Sequence, residues 1–172
     1  IEKIYEQASA NSQKKLLFER ALRCREPSMS SSGRLVFFSG FDETRKRWEV
    51  YSYEFVYNNL NKLTASAGEK HSPEVSANGD CVLFAHSRSD FPQQRVSLIN
   101  WYGNVEKTFS EFNMYDPDWA PDGLKIIFIS NKDEKNGELY TVWQDGSHLE
   151  RITFDTLEIR TPAISPDGRF LA

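Results

Sequence analysis

The residues able to do acid–base, nucleophilic or metal chemistry are thinly spread in this chain. His71, His86 and His148 fall in separate stretches, and Cys24 and Cys81 lie 57 positions apart with no CxxC between them. A metal centre needs three or four ligands converging at set spacings, and neither the thiols nor the imidazoles have such spacing. The cysteines read as buried thiols and the histidines as turn or surface residues. The chain contains no GxSxG nucleophile elbow, no HExxH and no phosphate-binding loop. DEKNGE at 133–138 gathers oxygen ligands but lacks the alternating spacing of a calcium loop, so it reads as a solvated turn. RKR at 45–47 would suit phosphate or an acidic partner, yet it follows FDE and reads as a solvated face. Carboxylates and aromatics remain, and these carry binding rather than bond breaking.

What positions them is a repeat. PDWAPDG at 117–123 has weaker copies in PSMSSSG at 27–33, PEVSANG at 73–79 and PAISPDG at 162–168. Gly33, Gly79, Gly123 and Gly168 follow one another at intervals of 46, 44 and 45 residues. A period in that range signals a propeller or a similar array. Each copy leads through a Gly turn into a short apolar run, RLVFFSG, CVLFAH or KIIFIS. Five residues after each of the first three glycines comes a phenylalanine, Phe38, Phe84 or Phe128, expected in the core. Third and fourth strands follow, with Asn58-Asn59, Gly103-Asn104 and Asp145-Gly146 as the turns. In the first repeat the third strand reads as WEVYSYEFVY.

Four short strands in about 45 residues make one propeller blade. Pro cannot donate a ladder hydrogen bond, so it belongs on an edge strand, here the first strand of each blade beside a central channel. The residue two after each Pro is Met29, Val75, Trp119 or Ile164, expected to pack between blades. The fold class is therefore all-β, with blades at 25–70, 71–114 and 115–159 and the first strands of a further blade at 160–172. Residues 1–24 have helical spacing at Ile1, Ile4, Tyr5 and Ala8. Yet 3–18 aligns without a gap on 138–153, which places 1–24 as the last two strands of an incomplete blade. Three blades and two halves amount to about four, either a piece of a longer array or a small ring closed by strands from both termini. The stop at GRFLA, inside a second strand, favours the former.

Glu74 and Asp118 alternate with Val75 and Trp119, so they should face the channel, to hold a cation or a basic peptide or to be solvated there. The loops joining each blade's last strand to the next blade's first carry Phe112, Met114, Tyr115 and Leu157, apolar for loops and suited to a protein contact. Phe112 and Leu157 read first as cover for gaps between blades. The binding candidates at the channel mouth are His71, Glu74, Tyr115, Asp116, Asp118 and Arg160. No catalytic residues and no resident cofactor are expected, a channel cation apart. The net charge of −4 argues against nucleic acid, and no apolar run reaches membrane-spanning length. No basic start followed by an apolar run marks a signal peptide.

PDWAPDG, KIIFIS, ELYTVWQDG and RIT, followed by PAISPDGRFLA, resemble the repeat of TolB-type β-propellers. The first repeat departs most, with SSSG in place of SPDG. The resemblance implies a non-enzymatic module that binds a protein or peptide in the bacterial cell envelope, hence in the periplasm. Similar blades precede the catalytic domain of prolyl-oligopeptidase-type hydrolases and occur in tricorn-like proteases. The alternatives are thus an accessory propeller of a hydrolase, or a scaffold subunit that associates through open blade edges.

Overall fold

The structure, a computed structural model, describes residues 5–6, 15–16, 22–88, 91–110, 113–133, 137–154, 159, 162–165 and 167–171. Two short strands, β1 (Tyr5–Glu6) and β2 (Lys15–Leu16), pair antiparallel. Three four-stranded antiparallel sheets follow, each in simple chain order. The first holds β3 (Cys24–Met29), β4 (Leu35–Asp42), β5 (Arg47–Glu54) and β6 (Asn59–Lys62). The second holds β7 (Glu69–Val75), β8 (Cys81–Arg88), β9 (Phe91–Asn100) and β10 (Val105–Phe109). The third holds β11 (Tyr115–Trp119), β12 (Lys125–Ser130), β13 (Glu138–Trp143) and β14 (Glu150–Arg151). An isolated bridge between Ile164 and Leu171 closes the turn of the fourth copy. Among the described residues no helix is long and apolar enough to cross a membrane.

One turn recurs four times between first and second strands. The N–H of Gly33, Gly79, Gly123 or Gly168 donates to the carbonyl three residues earlier at 2.8–2.9 Å. Each of these glycines has φ between 66° and 81°, a region that only glycine enters freely. Where that earlier residue is serine, its hydroxyl also accepts the N–H that opens the second strand. Leu35 donates to Ser30 at 3.1 Å, Cys81 to Ser76 at 3.1 Å and Phe170 to Ser165 at 2.9 Å. Ala120 has no hydroxyl, and the Asp122 carboxylate accepts from Leu124 at 2.9 Å instead. The weak SSSG copy thus builds the same turn as SPDG.

The sheets stack because the second strands are apolar on both faces. Strand residues alternate sides, so Val82 and Phe84 pack with Phe37, Val50 and Ile99, while Leu83 and Ala85 pack with Trp119, Phe128 and Tyr140. Phe38, Phe84 and Phe128 are all buried, as their spacing predicts. Phe38 stacks on Tyr51 at 5.9 Å and Phe128 on Tyr140 at 5.7 Å, the same pair in two blades.

A buried acid accompanies each of those tyrosines. Glu49 and Glu138 are fully buried, two residues before Tyr51 and Tyr140. The hydroxyls of Thr64 and Thr153, each 15 residues later, donate to them. Those threonines also accept the N–H of Val50 at 2.9 Å and of Leu139 at 3.0 Å. Arg47 at 2.7 Å and Arg151 at 2.8 Å supply the counter-charge. A buried carboxylate is tolerable only when paired and hydrogen-bonded in this way. In the second blade the register position of the tyrosine is Ser97, whose hydroxyl meets His86 Nε2 at 3.0 Å and Thr108 at 2.9 Å.

Two expectations fail. The third strand of the first blade ends at Glu54, and residues 55–58 form the turn, with Asn58 at φ 53° and its side chain accepting from the Tyr53 hydroxyl. The aromatic and β-branched run Phe55-Val56-Tyr57 mimics a strand, but pairing with β4 runs out at Leu35. Second, Met29 is half exposed, whereas Trp119 at the same repeat position is buried. Trp119 has the second blade to pack on, but no complete blade of described residues lies on Met29's side. The two positions should therefore differ in denaturant unfolding. Trp119→Ala should cost about 3–5 kcal/mol and Met29→Ala less than about 1 kcal/mol. Equal costs would contradict this packing.

Candidate functional site

The first strands lie side by side, with β7 packed on both β3 and β11. Each is interrupted at the residue before its proline. Glu26, Ser72 and Asp116 have φ of 53°, 49° and 45°, and the pairing register shifts there in all three blades. Such bulges re-aim the side chains that follow. The re-aimed residues are Ser28, Glu74 and Asp118, five residues before their respective glycines.

Side chains then link neighbouring blades across this edge. Glu26 accepts the Ser72 N–H at 2.8 Å and the Ser39 hydroxyl at 2.9 Å. The Ser28 hydroxyl donates to Glu74 Oε2 at 3.0 Å and accepts the Val75 N–H at 3.1 Å. Trp119 Nε1–H donates to the Glu74 carbonyl at 3.0 Å, tying the third blade to the second.

Between these strands lies an open concavity of about 310 Å³, lined by Ser72, Glu74, Asp116, Pro117, Asp118 and Pro162. Two of its acids, Glu74 and Asp118, are half-buried, while Asp116 is exposed. Burial pushes the Glu74 carboxyl up to about 7 against a hydrogen bond from Ser28, and the charges of Asp118 and Glu26 push it the same way. Burial also raises Asp118, although its carboxylate accepts the Trp119 N–H at 2.7 Å. Burial lowers the His71 imidazole, with Glu26, Glu69 and Asp116 pulling the other way. Such a pocket is built to welcome positive charge, since a cation relieves the repulsion and replaces lost solvation. Among the described residues no group of three or more His, Cys, Asp or Glu is placed to hold a metal ion.

The structure brings Glu74, Asp116 and Asp118 together at this concavity. His71 is half-buried on β7, opposite Ala85, and Tyr115 is half-buried opposite Ile129. Neither lines the concavity. Arg160, Phe112 and Leu157 lie outside the described residues. Met114 is no surface contact but fully buried in the core between second and third blades. It lies just before β11, and its N–H donates to the Gln94 carbonyl of the second blade at 3.4 Å. The cysteines are free thiols. The RKR run is only partly solvent-facing, for the Arg45 and Arg47 guanidiniums both hold the Ala65 carbonyl. Sequence reasoning missed Ser72, Pro117 and Pro162 as lining residues, though their positions beside the repeat's prolines carry the signal.

Phe154, on the loop leading out of the third blade, is 76 % exposed, but sequence reasoning missed a second set of exposed aromatics. Tyr57 at 75 % and Tyr102 at 69 % stand on the turns between third and fourth strands, with Trp101 and Trp143 partly exposed beside them. Antiparallel order puts those turns at the opposite end of the blades from the loops that lead into each first strand.

No family model matches the chain. It is 33% identical over 102 residues to the uncharacterized peptidase YuxL of Bacillus subtilis, covering 56% of this chain and 16% of that protein. It is 29% identical over 138 residues to a TolB homolog of Chlorobium chlorochromatii, covering 80% of this chain and 30% of that protein. The chain thus spans less than a third of either curated relative. The TolB crystal structure from Acinetobacter baumannii superposes with a TM-score of 0.77 at 17% identity, over 98% of this chain and 42% of that one. The repeat, the three stacked four-stranded sheets and these likenesses agree: the chain has the fold of a TolB-like β-propeller.

Proposed function

We propose that the chain is a non-enzymatic binding module that takes a cationic segment of a protein or peptide at the concavity between its first strands. The observation that carries this is the meeting of Glu74, Asp116 and Asp118 around one opening walled by Pro117 and Pro162. Prolines fix the backbone and leave no N–H to compete with the ligand for the carboxylates. Rigid walls also reduce the ordering cost of binding. The likeness to TolB supports a setting in the bacterial periplasm.

A second reading is favoured by the match to a peptidase. There the blades belong to a propeller beside a hydrolase domain, and the same acids select or steer basic substrates. A GxSxG motif elsewhere in the parent polypeptide would decide for it. Its absence there would leave the first reading standing.

Fluorescence anisotropy with labelled peptides tests the binding. An Arg/Lys-rich peptide should bind and an Asp/Glu-rich one of equal length should not. Glu74→Gln with Asp118→Asn should weaken binding by about tenfold or more. Unchanged affinity in the double variant would sink the proposal. Added salt should weaken binding, because the attraction is between charges near the surface.

Two pH effects of opposite sign follow from Glu74. Ligand binding needs the ionised carboxylate, so affinity should rise as pH passes upward through about 7, and Glu74→Gln should flatten that rise. Stability without ligand should move the other way. The folded chain holds this proton more tightly than the unfolded chain, so the stabilisation is complete below the ordinary value of 4.5 and is lost as pH rises through about 7. The loss should be no more than about 3 kcal/mol. Comparing denaturant midpoints of wild type and Glu74→Gln at either end of that window measures it.

A further inference from the structure

Nine residues before each turn glycine, the repeat places Cys24, Lys70, Met114 and Ile159. Cys24 and Met114 are buried, as suits an apolar core position. Lys70 occupies the same position with no exposed surface at all. A fully buried lysine is rare unless something satisfies its three donors. Here the loop before β7 does so. Lys70 Nζ donates to the carbonyl oxygens of Ser66, of Ala67 at 3.1 Å and of Gly68 at 2.8 Å. The Glu49 carboxylate stands 3.5 Å away. Arg45 and Arg47 take the preceding carbonyl, that of Ala65. Four consecutive carbonyls therefore turn inward onto cations.

Peptide planarity gives this a structural consequence. The chain has no cis peptide bond among its described residues, and in a trans peptide the carbonyl and the next N–H point opposite ways. With their carbonyls turned inward, these peptides cannot use those groups for sheet pairing. Ala65, Ser66 and Ala67 are exposed, so the loop buries little apolar surface of its own. Gly68, at φ 93°, lets the chain reverse around the ammonium. Loop closure also reaches the strands. The Glu69 carboxylate accepts the Trp48 N–H at 2.8 Å, and Thr64 accepts the Val50 N–H at 2.9 Å.

We propose that Lys70 is a tethered cation around which the loop from Thr64 to Glu69 is folded, so that the cage of carbonyls it fills would accept a small primary ammonium ion once the side chain is cut back. Lys70 is thus a positioning residue. It sets the approach of β7, which carries Ser72 and Glu74 to the concavity two and four residues later. The alternative is that its methylene stem merely fills core space, as Met114 does one blade on.

Hydrogen exchange separates the two. Lys70→Met keeps the stem and matches the residue at the equivalent position. It should speed exchange of the Trp48 and Val50 amides by about tenfold or more, while the Leu139 amide, bonded to Thr153 in the third blade, stays as in wild type. Lys70→Ala should regain slow exchange at Trp48 and Val50 in methylammonium chloride but not in tetramethylammonium chloride of equal strength. The larger ion has no N–H to donate and does not fit the cage. If Lys70→Ala folds only when methylammonium is present, that is the same rescue. Wild-type exchange in Lys70→Met would overturn the proposal. So would equal effects of the two salts, or failure of Lys70→Ala to fold in either.

Discussion

Everything on the first-strand edge depends on the residue before each proline adopting a left-handed backbone. Glu26, Ser72 and Asp116 are not glycines, and each such conformation costs on the order of 1–3 kcal/mol. The cost recurs at one position in three blades, so it belongs to the design of the repeat. The bulge turns Ser28, Glu74 and Asp118 toward their neighbours in adjacent blades. It also frees the Ser72 N–H to meet the Glu26 carboxylate. Without the bulge the strand would pair straight through, and the alternation of side chains would reverse beyond it. The same backbone strain that re-aims the side chains therefore creates the bonds that offset it.

The blades are held together by two kinds of contact that play different parts. Apolar alternation on the second strands buries both faces of each sheet and supplies most of the association. It is non-directional, and would tolerate a blade sliding along its neighbour. The polar contacts fix the register. Trp119 reaches the Glu74 carbonyl, and Ser31 reaches the Ala77 carbonyl at 2.7 Å across the first two blades. The buried glutamates of the first and third blades do a third task, pinning the end of the fourth strand to the third through threonine.

The sequence shows what the repeat repeats. Fixed glycine spacing, the prolines and the phenylalanine five residues on locate the blades because each has one physical reason at one position. The bulge was hidden, because the residue before a proline ordinarily favours extended backbone and nothing in Glu26, Ser72 or Asp116 announces the exception. The buried glutamates were hidden because a charged residue on a strand reads as solvent-facing. Only the recurrence of Glu-x-Tyr with Thr 15 residues beyond the acid reveals them. Phe55-Val56-Tyr57 misled in the other direction, since strand-forming side chains on a turn cannot be told from a strand without knowing where the partner ends. At the candidate site, alternation brought out Glu74 and Asp118, but the lining prolines needed the neighbouring blade to be in place.

A repeat also offers an internal control. Positions that keep one chemistry in every copy serve the fold, as the turn glycines do. Positions that keep one geometry while their chemistry changes are released from that duty. Five residues before the glycine stand Ser28, Glu74, Asp118 and Ala163. The backbone presents them alike in the first three blades, yet only the middle two are acids, and these two face one concavity with depressed solvation. Nine residues before it, one lysine stands among Cys24, Met114 and Ile159. Neither residue type is required by the blade in general, since the other copies fold with different chemistry at these positions, although the second blade builds its own loop around Lys70. Both lie at the second blade or its joint with the third, where β7 runs from the caged lysine to the raised carboxyl. Blades that differ only there can keep a common fold while presenting different chemistry at the first-strand edge. That is why the fold is legible at this depth and the chemistry of the edge has to be read from the unrepeated residues.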